Sequence, residues 1–547
     1  MTFKTKFARN IFYQKYALNS HDSWVSLVTG LVDDVTGYFQ GKAKPLLPNS
    51  DRQHLVEIIR KMQFIPGGRY LYYGRRKFHG WNNCFLLRGE EDTREEWGAL
   101  LQRASDCLMT GGGIGIDYSI FRPYGRKLSR TGGISSGPLP LMQSVNEVGR
   151  NVQQGGARRS AIYASLNWQH ENAEQFLVIK DWHNIQVGQT GSTLWDIKQQ
   201  DFNFPAPLDM TNISLNYDDR LLNFHGLPAT FLKNVEQAVK TGEPGLSFNF
   251  GERQSETLRN ACCEVVSSDD SDVCNLGSIN LANIDTLDEL RTIIELATKF
   301  LLCGTLRATL PYPKIATIRE KNRRLGLGLM GIHEWLLKRG YTYEVVPELH
   351  SWLEVYRDVS NDVSRTFADA LGVSRPIANR AIAPTGTIGI MASTTTGIEP
   401  LYAVAYKRRY VTQGHRWKYE YVVDATANHL IKEYGLNPDS IETAASLAAQ
   451  PERRIKFQAD VQDYVDMAIS STINLPPWGH DHNNEDTVKD MARLLRTYAP
   501  RLRGFTCYPD GARGGQPLTL VDYNTALKHE GTVFEDNDAC KGGVCGI

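Results

Sequence analysis

The tightest constraint on this chain is a thiol and a carboxylate two residues apart. They lie in Asn260-Ala261-Cys262-Cys263-Glu264, followed by Cys274-Asn275-Leu276-Gly277-Ser278-Ile279-Asn280-Leu281. Residues two apart share a side of an extended segment or tight loop. Asn260, Cys262 and Glu264 can therefore converge on one point. The Ser/Asp-rich residues between Glu264 and Cys274 read as a loop that brings in a second thiol. A neighbouring carboxylate raises a thiol pKa and disfavours the thiolate, so Cys262 is poorly arranged as a polar nucleophile. As a neutral S–H it can instead give up a hydrogen atom while Glu264 moves a proton. On spacing alone, buried core cysteines are an equally good reading.

The motif as a whole carries a resemblance. Asn-x-Cys-x-Glu followed by Cys-Asn-Leu-Gly-Ser-Ile-Asn-Leu resembles the active-site finger loop of ribonucleotide reductases. The short gap between Cys262 and Cys274 is more similar to the cobalamin-dependent class II enzymes than to most class I large subunits. The likeness extends over roughly residues 66–547. It implies an α/β fold, a ten-stranded α/β barrel of two five-stranded parallel halves antiparallel to each other, with the Cys262 loop through its centre. It also implies three parts: a short N-terminal helical region (1–65), the barrel (66–515) and a flexible C-terminal tail with a redox dithiol (516–547).

Composition narrows the alternatives. Lys+Arg and Asp+Glu are both 61, and the pI is near 7.2. Such a balance speaks against a polybasic nucleic-acid binder, since phosphate-backbone binding usually shows as a basic excess. Hydrophobic content of 41% and a mean hydropathy of −0.36 fit a soluble globular protein. No apolar run spans a bilayer, and Met1-Thr2-Phe3-Lys4 leads into mixed polar sequence, so neither a membrane segment nor a signal peptide is expected. Nine cysteines in a leaderless chain point to a reducing, cytoplasmic compartment (the host's, if the source is a phage). There, paired cysteines are catalytic or metal-binding rather than structural.

Along the chain, Leu55, Ile58, Ile59 and Met62 have helical spacing, ended by Pro66-Gly67-Gly68. Too little chain precedes them for the ATP-binding cone of many reductases, so dATP shut-off of that kind is not expected. Trp81-Asn82-Asn83-Cys84 reads as a loop entering a strand. Taken alone, Cys84 is a strand-core cysteine. The resemblance makes it the redox partner of Cys274, and it puts Asn83, Ser135 and Ser136 near the substrate. Asp92-Thr93 can cap a helix, and the likeness places a specificity effector, a dNTP or ATP, near Asp92. The glycines of 111–115 lack the strand-before, helix-after order of a dinucleotide fold and read as a tight turn into a strand. Gln154, Gly155, Gly156, Arg158 and Arg159 form either an anion-responsive loop or a solvated turn. They resemble the loop that reports the bound effector to the substrate base pocket.

Further on, Pro384-Thr385-Gly386-Thr387-Ile388-Gly389 runs from an apolar strand into a helix start. Free N–H groups there stabilise an anion by about 0.3–2 kcal/mol, although the bare motif suits an ordinary turn as well. With Gly397-Ile398-Glu399-Pro400 it is similar to the family's substrate-phosphate segment, where relatives often carry Ser at the place of Gly389. Basic and aromatic residues alternate through 407–421, which reads as a solvated strand pair rather than a nucleic-acid surface. His480-Asp481-His482 has no further ligands nearby and reads as a polar loop, so no metal site is expected. Cys540 and Cys545, separated by glycines, suit a swinging dithiol shuttle better than half a zinc site.

The mechanism implied by the resemblance starts with a thiyl radical on Cys262 taking the 3′ hydrogen of a ribonucleotide, expected to be a diphosphate. Glu264 accepts the 3′-hydroxyl proton and Asn260 hydrogen-bonds the site. Cys84 and Cys274 supply reducing equivalents and end as a disulfide. Cys540 and Cys545 then exchange with it and are re-reduced by thioredoxin or glutaredoxin. The radical source is open. Pro509 follows Tyr508 where class I enzymes carry two adjacent tyrosines, which is similar to class II, yet no spare segment stands out for a cobalamin tail. The compact, cone-less form is also similar to phage reductases, some of which pair a class II-like chain with a ferritin-like partner. The expectation is a ferritin-like dinuclear-metal subunit relaying through Tyr508, with no cofactor bound by the chain itself. Adenosylcobalamin is the alternative, and a non-catalytic nucleotide- or nucleic-acid-binding protein is the remaining one. An effector-dependent homodimer is expected.

Overall fold

A computed structural model describes residues 3–37, 44–152, 160–188, 191–201, 204–411, 417–512, 518–530 and 533–535. Five strands form its first half: β1 (Cys84–Arg88), β2 (Gly113–Asp117), β3 (Ile162–Asn167), β4 (Thr211–Tyr217) and β5 (Gly245–Phe248). Each is parallel to the next. Helices connect them, as parallel pairing requires a crossover. The first, Arg94–Met109, is capped by Thr93, whose side chain accepts from the Glu96 N–H. Glu95 and Glu96 add negative charge to that first turn, where the helix dipole favours it.

The chain then reverses. β6 (Asp272–Asn280) runs antiparallel to β1, and β7 (Leu325–Met330) runs parallel to β6. Gly504–Phe505 closes the far side antiparallel to β5. Together with Phe64–Pro66 on β6, these make an open, mixed nine-stranded sheet rather than ten fully paired strands. Beyond it the pairing thins to single bridges, Leu327 with Arg380 and Ile382 with Ile469, both parallel. Ile473–Leu475 lies parallel to Cys507–Pro509.

Between the two halves sits a hairpin, Leu258–Arg259 against Val266–Ser267, with Cys262 and Cys263 in its turn. Its entry depends on Gly115 in β2, where a Cβ would stand 1.6 Å from the Arg259 carbonyl oxygen. A small apolar cluster joins this hairpin to the sheet: Leu258, Val265 and Val266 meet Cys84, Cys274 and Ala381.

At the N-terminus, helix Asn49–Arg60 buries Leu55, Ile58 and Ile59 as their spacing predicts, whereas Met62 lies past its end at φ +58°. These side chains join the same core as Leu301 and Leu329. The basic-aromatic stretch folds as strands Ala405–Val411 and Trp417–Val423. Its two edges are taken by Leu518–Leu520 and Val533–Glu535, so part of the expected tail pairs in a sheet. Cys540 and Cys545 lie outside the described residues. No described helix is long and apolar enough to cross a membrane.

Candidate active site

The hairpin turn is fastened by Asn260. Its Oδ1 accepts from the Val265 N–H at 2.9 Å, and its carbonyl accepts from the Cys263 N–H at 3.0 Å. Cys263 adopts φ +69°, a left-handed conformation uncommon outside glycine. This kink breaks the simple alternation expected from the sequence. Asn260 and Glu264 turn inward and are buried, while Cys262 alone among the seven described cysteines is exposed.

On the inward side, four expected residues come together. Asn260 Nδ2 donates to Cys84 Sγ at 3.0 Å, and Glu264 Oε1 lies 4.0 Å from the same sulfur. Cys84 and Cys274 are directly opposite in the β1–β6 register. Facing antiparallel residues have Cα atoms about 4.5–5.5 Å apart, within the range a disulfide spans. Both thiols are free in this structure. Burial pushes both well up, helped at Cys84 by Glu264 and at Cys274 by Asp272. Burial also raises Glu264 to about 7, and its Oε2 has no hydrogen-bond partner. A carboxyl poised near neutrality beside two protonated thiols is suited to proton transfer. Asn83 flanks this group: its N–H donates to the Cys274 carbonyl at 3.0 Å, and its Oδ1 is buried without a partner.

On the outward side, Cys262 opens into a cavity of about 320 Å³ whose walls include Pro384, Ser471, Thr506 and Tyr508. Cys84, Cys274, Asn260 and Glu264 do not line it. Tyr508 is also the one residue this cavity shares with a cleft of about 850 Å³, which is walled by Ala445, Ala448, Pro476 and Leu520. Tyr163, Ser247 and Arg503, which also line the Cys262 cavity, had no motif to announce them. The one visible signal was an arginine, Arg503, directly before the apolar strand start Gly504–Phe505.

Pro384 leads from the sheet into the predicted helix start. Thr385 takes φ +51°, and its Oγ1 accepts from the Gly397 N–H at 2.8 Å, tying the two segments matched in the sequence. Helix Gly386–Ala392 follows, carrying Thr387, Ile388 and Gly389, and nothing approaches the open side of Gly386 within 4 Å. A Cβ at Gly389 would lie 2.7 Å from the Thr396 methyl, which explains why a serine has no room there.

Ser135 and Ser136 lie elsewhere than expected. With Asp92, Arg122 and Arg130 they line a separate cleft of about 610 Å³, away from Cys262. Asp92 accepts from Arg122 Nε at 2.6 Å. The loop with Gln154, Gly155, Gly156, Arg158 and Arg159 is outside the described residues. His480 bridges Asn483 in a tight turn, and no cluster able to hold a metal occurs among the described residues.

A parallel half-sheet, a reversed second half and a cysteine hairpin between them define one class of enzyme. The family described as "Ribonucleotide reductase, barrel domain" matches residues 82–203, 231–350 and 377–508, and the chain belongs to it. It is the catalytic chain of a ribonucleotide reductase, an oxidoreductase of deoxyribonucleotide synthesis. The vitamin B12-dependent ribonucleoside-diphosphate reductase of Mycobacterium tuberculosis is 26% identical, over 91% of this chain and 76% of its own length. A Mycobacterium phage D29 chain, assigned provisionally as an adenosylcobalamin-dependent ribonucleoside-triphosphate reductase, is 26% identical over 85% of this chain and 76% of its own. The ribonucleoside-diphosphate reductase subunit alpha of Synechocystis matches less, at 24% identity over 50% of this chain and 41% of its own.

Proposed function

We propose that this chain reduces ribonucleoside diphosphates and that adenosylcobalamin starts its radical chemistry, in place of the ferritin-like subunit expected from the sequence. The observation that carries the reading is the setting of the hairpin turn. Cys262 lines a cavity shared with Tyr508 and with Pro384 of the phosphate segment, and two residues on Glu264 meets Cys84, which Asn260 holds and Cys274 faces. The B12-dependent names of relatives matched over most of the chain support the same choice. Small-ligand pockets span about 300–1,000 Å³. The 320 Å³ cavity thus suits an adenosyl group against Phe505, Thr506 and Tyr508, and the 850 Å³ cleft across Tyr508 gives room for a corrin. When bound, the cofactor supplies hydrogen-atom abstraction at the Cys262 thiol.

The chain's own residues do the rest. Cys262, as a thiyl, takes the 3′ hydrogen, and Glu264 as carboxylate takes the 3′-hydroxyl proton. The 2′-hydroxyl leaves as water with a proton from the Cys84–Cys274 pair. That pair delivers two electrons and closes as a disulfide, and Cys262 returns its hydrogen to C3′. The sum is ribonucleotide plus dithiol giving deoxyribonucleotide, disulfide and water. Asn260 holds the turn and Cys84 in place. The segment Pro384 to Gly389 takes the substrate phosphates, and Cys540 with Cys545 re-reduces the disulfide in exchange with thioredoxin or glutaredoxin. Asp92, Ser135 and Ser136 belong to a dNTP effector cleft, with the 154–159 loop relaying to the substrate in a homodimer. Segments 380–382, 469–475 and 504–509 complete, with β6 and β7, a second five-stranded half that closes a ten-stranded barrel over residues 66–515. The enzyme works in the cytoplasm.

The test is reduction of CDP and CTP by the purified chain with dithiothreitol and effector, with and without adenosylcobalamin. Turnover that requires the cobalamin is the expected result. Turnover that requires a ferritin-like metal subunit overturns the reading.

A further inference from the structure

The turn that carries Cys262 holds a second thiol that the mechanism above does not use. Cys263 is half-buried and lines the same cavity as Cys262. Its backbone sits at φ +69°, a left-handed conformation that glycine adopts freely and other residues rarely. A side chain there adds strain, and strain of this kind clusters where the side chain has a task. Packing does not supply one. The apolar cluster that anchors the hairpin takes in Leu258, Val265 and Val266 but not Cys263. The Asn260 carbonyl accepts from the Cys263 N–H at 3.0 Å, which closes the turn on two adjacent cysteines.

Access ranks the thiols for a small oxidant. Cys262 is the one exposed cysteine of the seven described, while Cys84, Cys107, Cys274, Cys303 and Cys507 are buried. A peroxide entering the cavity therefore meets Cys262 first. Burial pushes the Cys263 thiol up to about 12, so it stays protonated and is the second partner, not the first. We infer that Cys263 is a resolving thiol, which caps a peroxide-oxidised Cys262 as a reversible disulfide and keeps it from the irreversible sulfinic acid. Peroxide oxidises the Cys262 thiol to a sulfenic acid and is itself reduced to water. The Cys263 sulfur then attacks the sulfenic sulfur. An S–S bond forms, the S–O bond breaks, and the hydroxyl leaves with the Cys263 proton as a second water. Adjacent Cα atoms stand about 3.8 Å apart, below the roughly 4.4–6.8 Å of a relaxed disulfide, so the cap is strained and easily reduced. A dithiol reopens it and restores both thiols. The consequence for turnover rests on the radical role proposed for Cys262; the pairing itself does not.

The test uses the full chain with Cys540→Ser and Cys545→Ser, so that no tail thiol exchanges, treated with hydrogen peroxide and then freed of it. Activity is one turnover of CDP with adenosylcobalamin, effector and no added thiol, each sample normalised to its own value before peroxide. Peptide mass spectrometry follows Cys262. The expected product is a peptide over 260–264 two hydrogens lighter than the reduced one, with turnover lost. Dithiothreitol, removed before assay, then restores both thiols and brings activity back to within about 2-fold. Adding Cys263→Gly removes the resolving thiol, and glycine suits the left-handed backbone there. In that variant Cys262 goes on to the sulfinic acid, and activity stays about 10-fold down or more after dithiothreitol. Two outcomes overturn the inference: a Cys262 disulfide to any other cysteine, or full recovery of the Cys263→Gly variant, as a bond from Cys262 to a backbone nitrogen would give. If the Cys262–Cys263 disulfide never forms while untreated enzyme turns over, the cap fails and the reductase reading stands. If the disulfide forms and turnover is unaffected, the radical role of Cys262 fails and the pairing stands.

Discussion

The two sides of the cysteine hairpin are built on opposite principles. On the inward side every group leans on another: Asn260 on Cys84, Glu264 on Cys84, Cys84 across from Cys274. On the outward side Arg503 is tied to Glu256 through Nη2 alone, and its Nε and Nη1 have no partner. The first is a closed reaction centre whose protonation is tuned by burial. The second is an open mould. The kink at Cys263 lets one short turn serve both, by sending Cys262 out and Asn260 and Glu264 in.

The sharpest way to break this contrast is Cys262→Ser. Turnover should disappear entirely, since a hydroxyl gives up its hydrogen atom far less readily than a thiol, while CDP binding persists. Turnover near the wild-type rate would remove the radical role. Next in size is Cys540→Ser combined with Cys545→Ser. Thioredoxin-driven cycling should stop, yet the pre-reduced enzyme should complete one turnover, as a rapid-quench count of deoxynucleotide per chain would record. Glu264→Gln should slow reduction by about 10²–10⁴-fold, the usual scale of a lost general acid–base.

The same substitution sharpens the comparison through stability. Glu264 is raised from 4.5 to about 7, so the folded chain holds a proton that the unfolded chain has released. Its burial therefore destabilises the fold fully above pH 7, by about 3 kcal/mol, and not at all below pH 4.5. Glu264→Gln should raise Tm at pH 8 and leave it nearly unchanged at pH 4.5. An equal shift at both pH values would contradict the assigned ionisation. The smallest effect is on rate: because the carboxylate is the active form, turnover should rise with pH to a plateau, half-maximal near pH 7.

The inward side was legible in the sequence because its parts are chemically unusual and lie in two short motifs. Spacing alone left Cys262 and Glu264 open to a plain core reading and made Cys84 a strand-core cysteine; the resemblance of the whole motif is what singled out Cys262, Glu264 and the Cys84–Cys274 pair. The parallel first half was legible too, from apolar strands separated by capped helices. The outward side was not. Tyr163 and Ser247 come from two strands and Arg503 from the residue before a third, all distant in sequence, and each alone looks like an ordinary core or edge residue. Register brings them together, and no spacing encodes that. Ser135 and Ser136 show the converse: a polar loop that the resemblance put near the substrate lines the Asp92 cleft instead. The ten-stranded barrel implied by the resemblance is met only in part, as an open, mixed nine-stranded sheet beyond which the pairing thins to single bridges.

The most direct test of the inward side is the fate of its two thiols. After one turnover of the Cys540→Ser, Cys545→Ser double variant, peptide mass spectrometry should find one Cys84–Cys274 disulfide for each deoxynucleotide formed. Deoxynucleotide formed while Cys84 and Cys274 both remain free thiols would contradict the account.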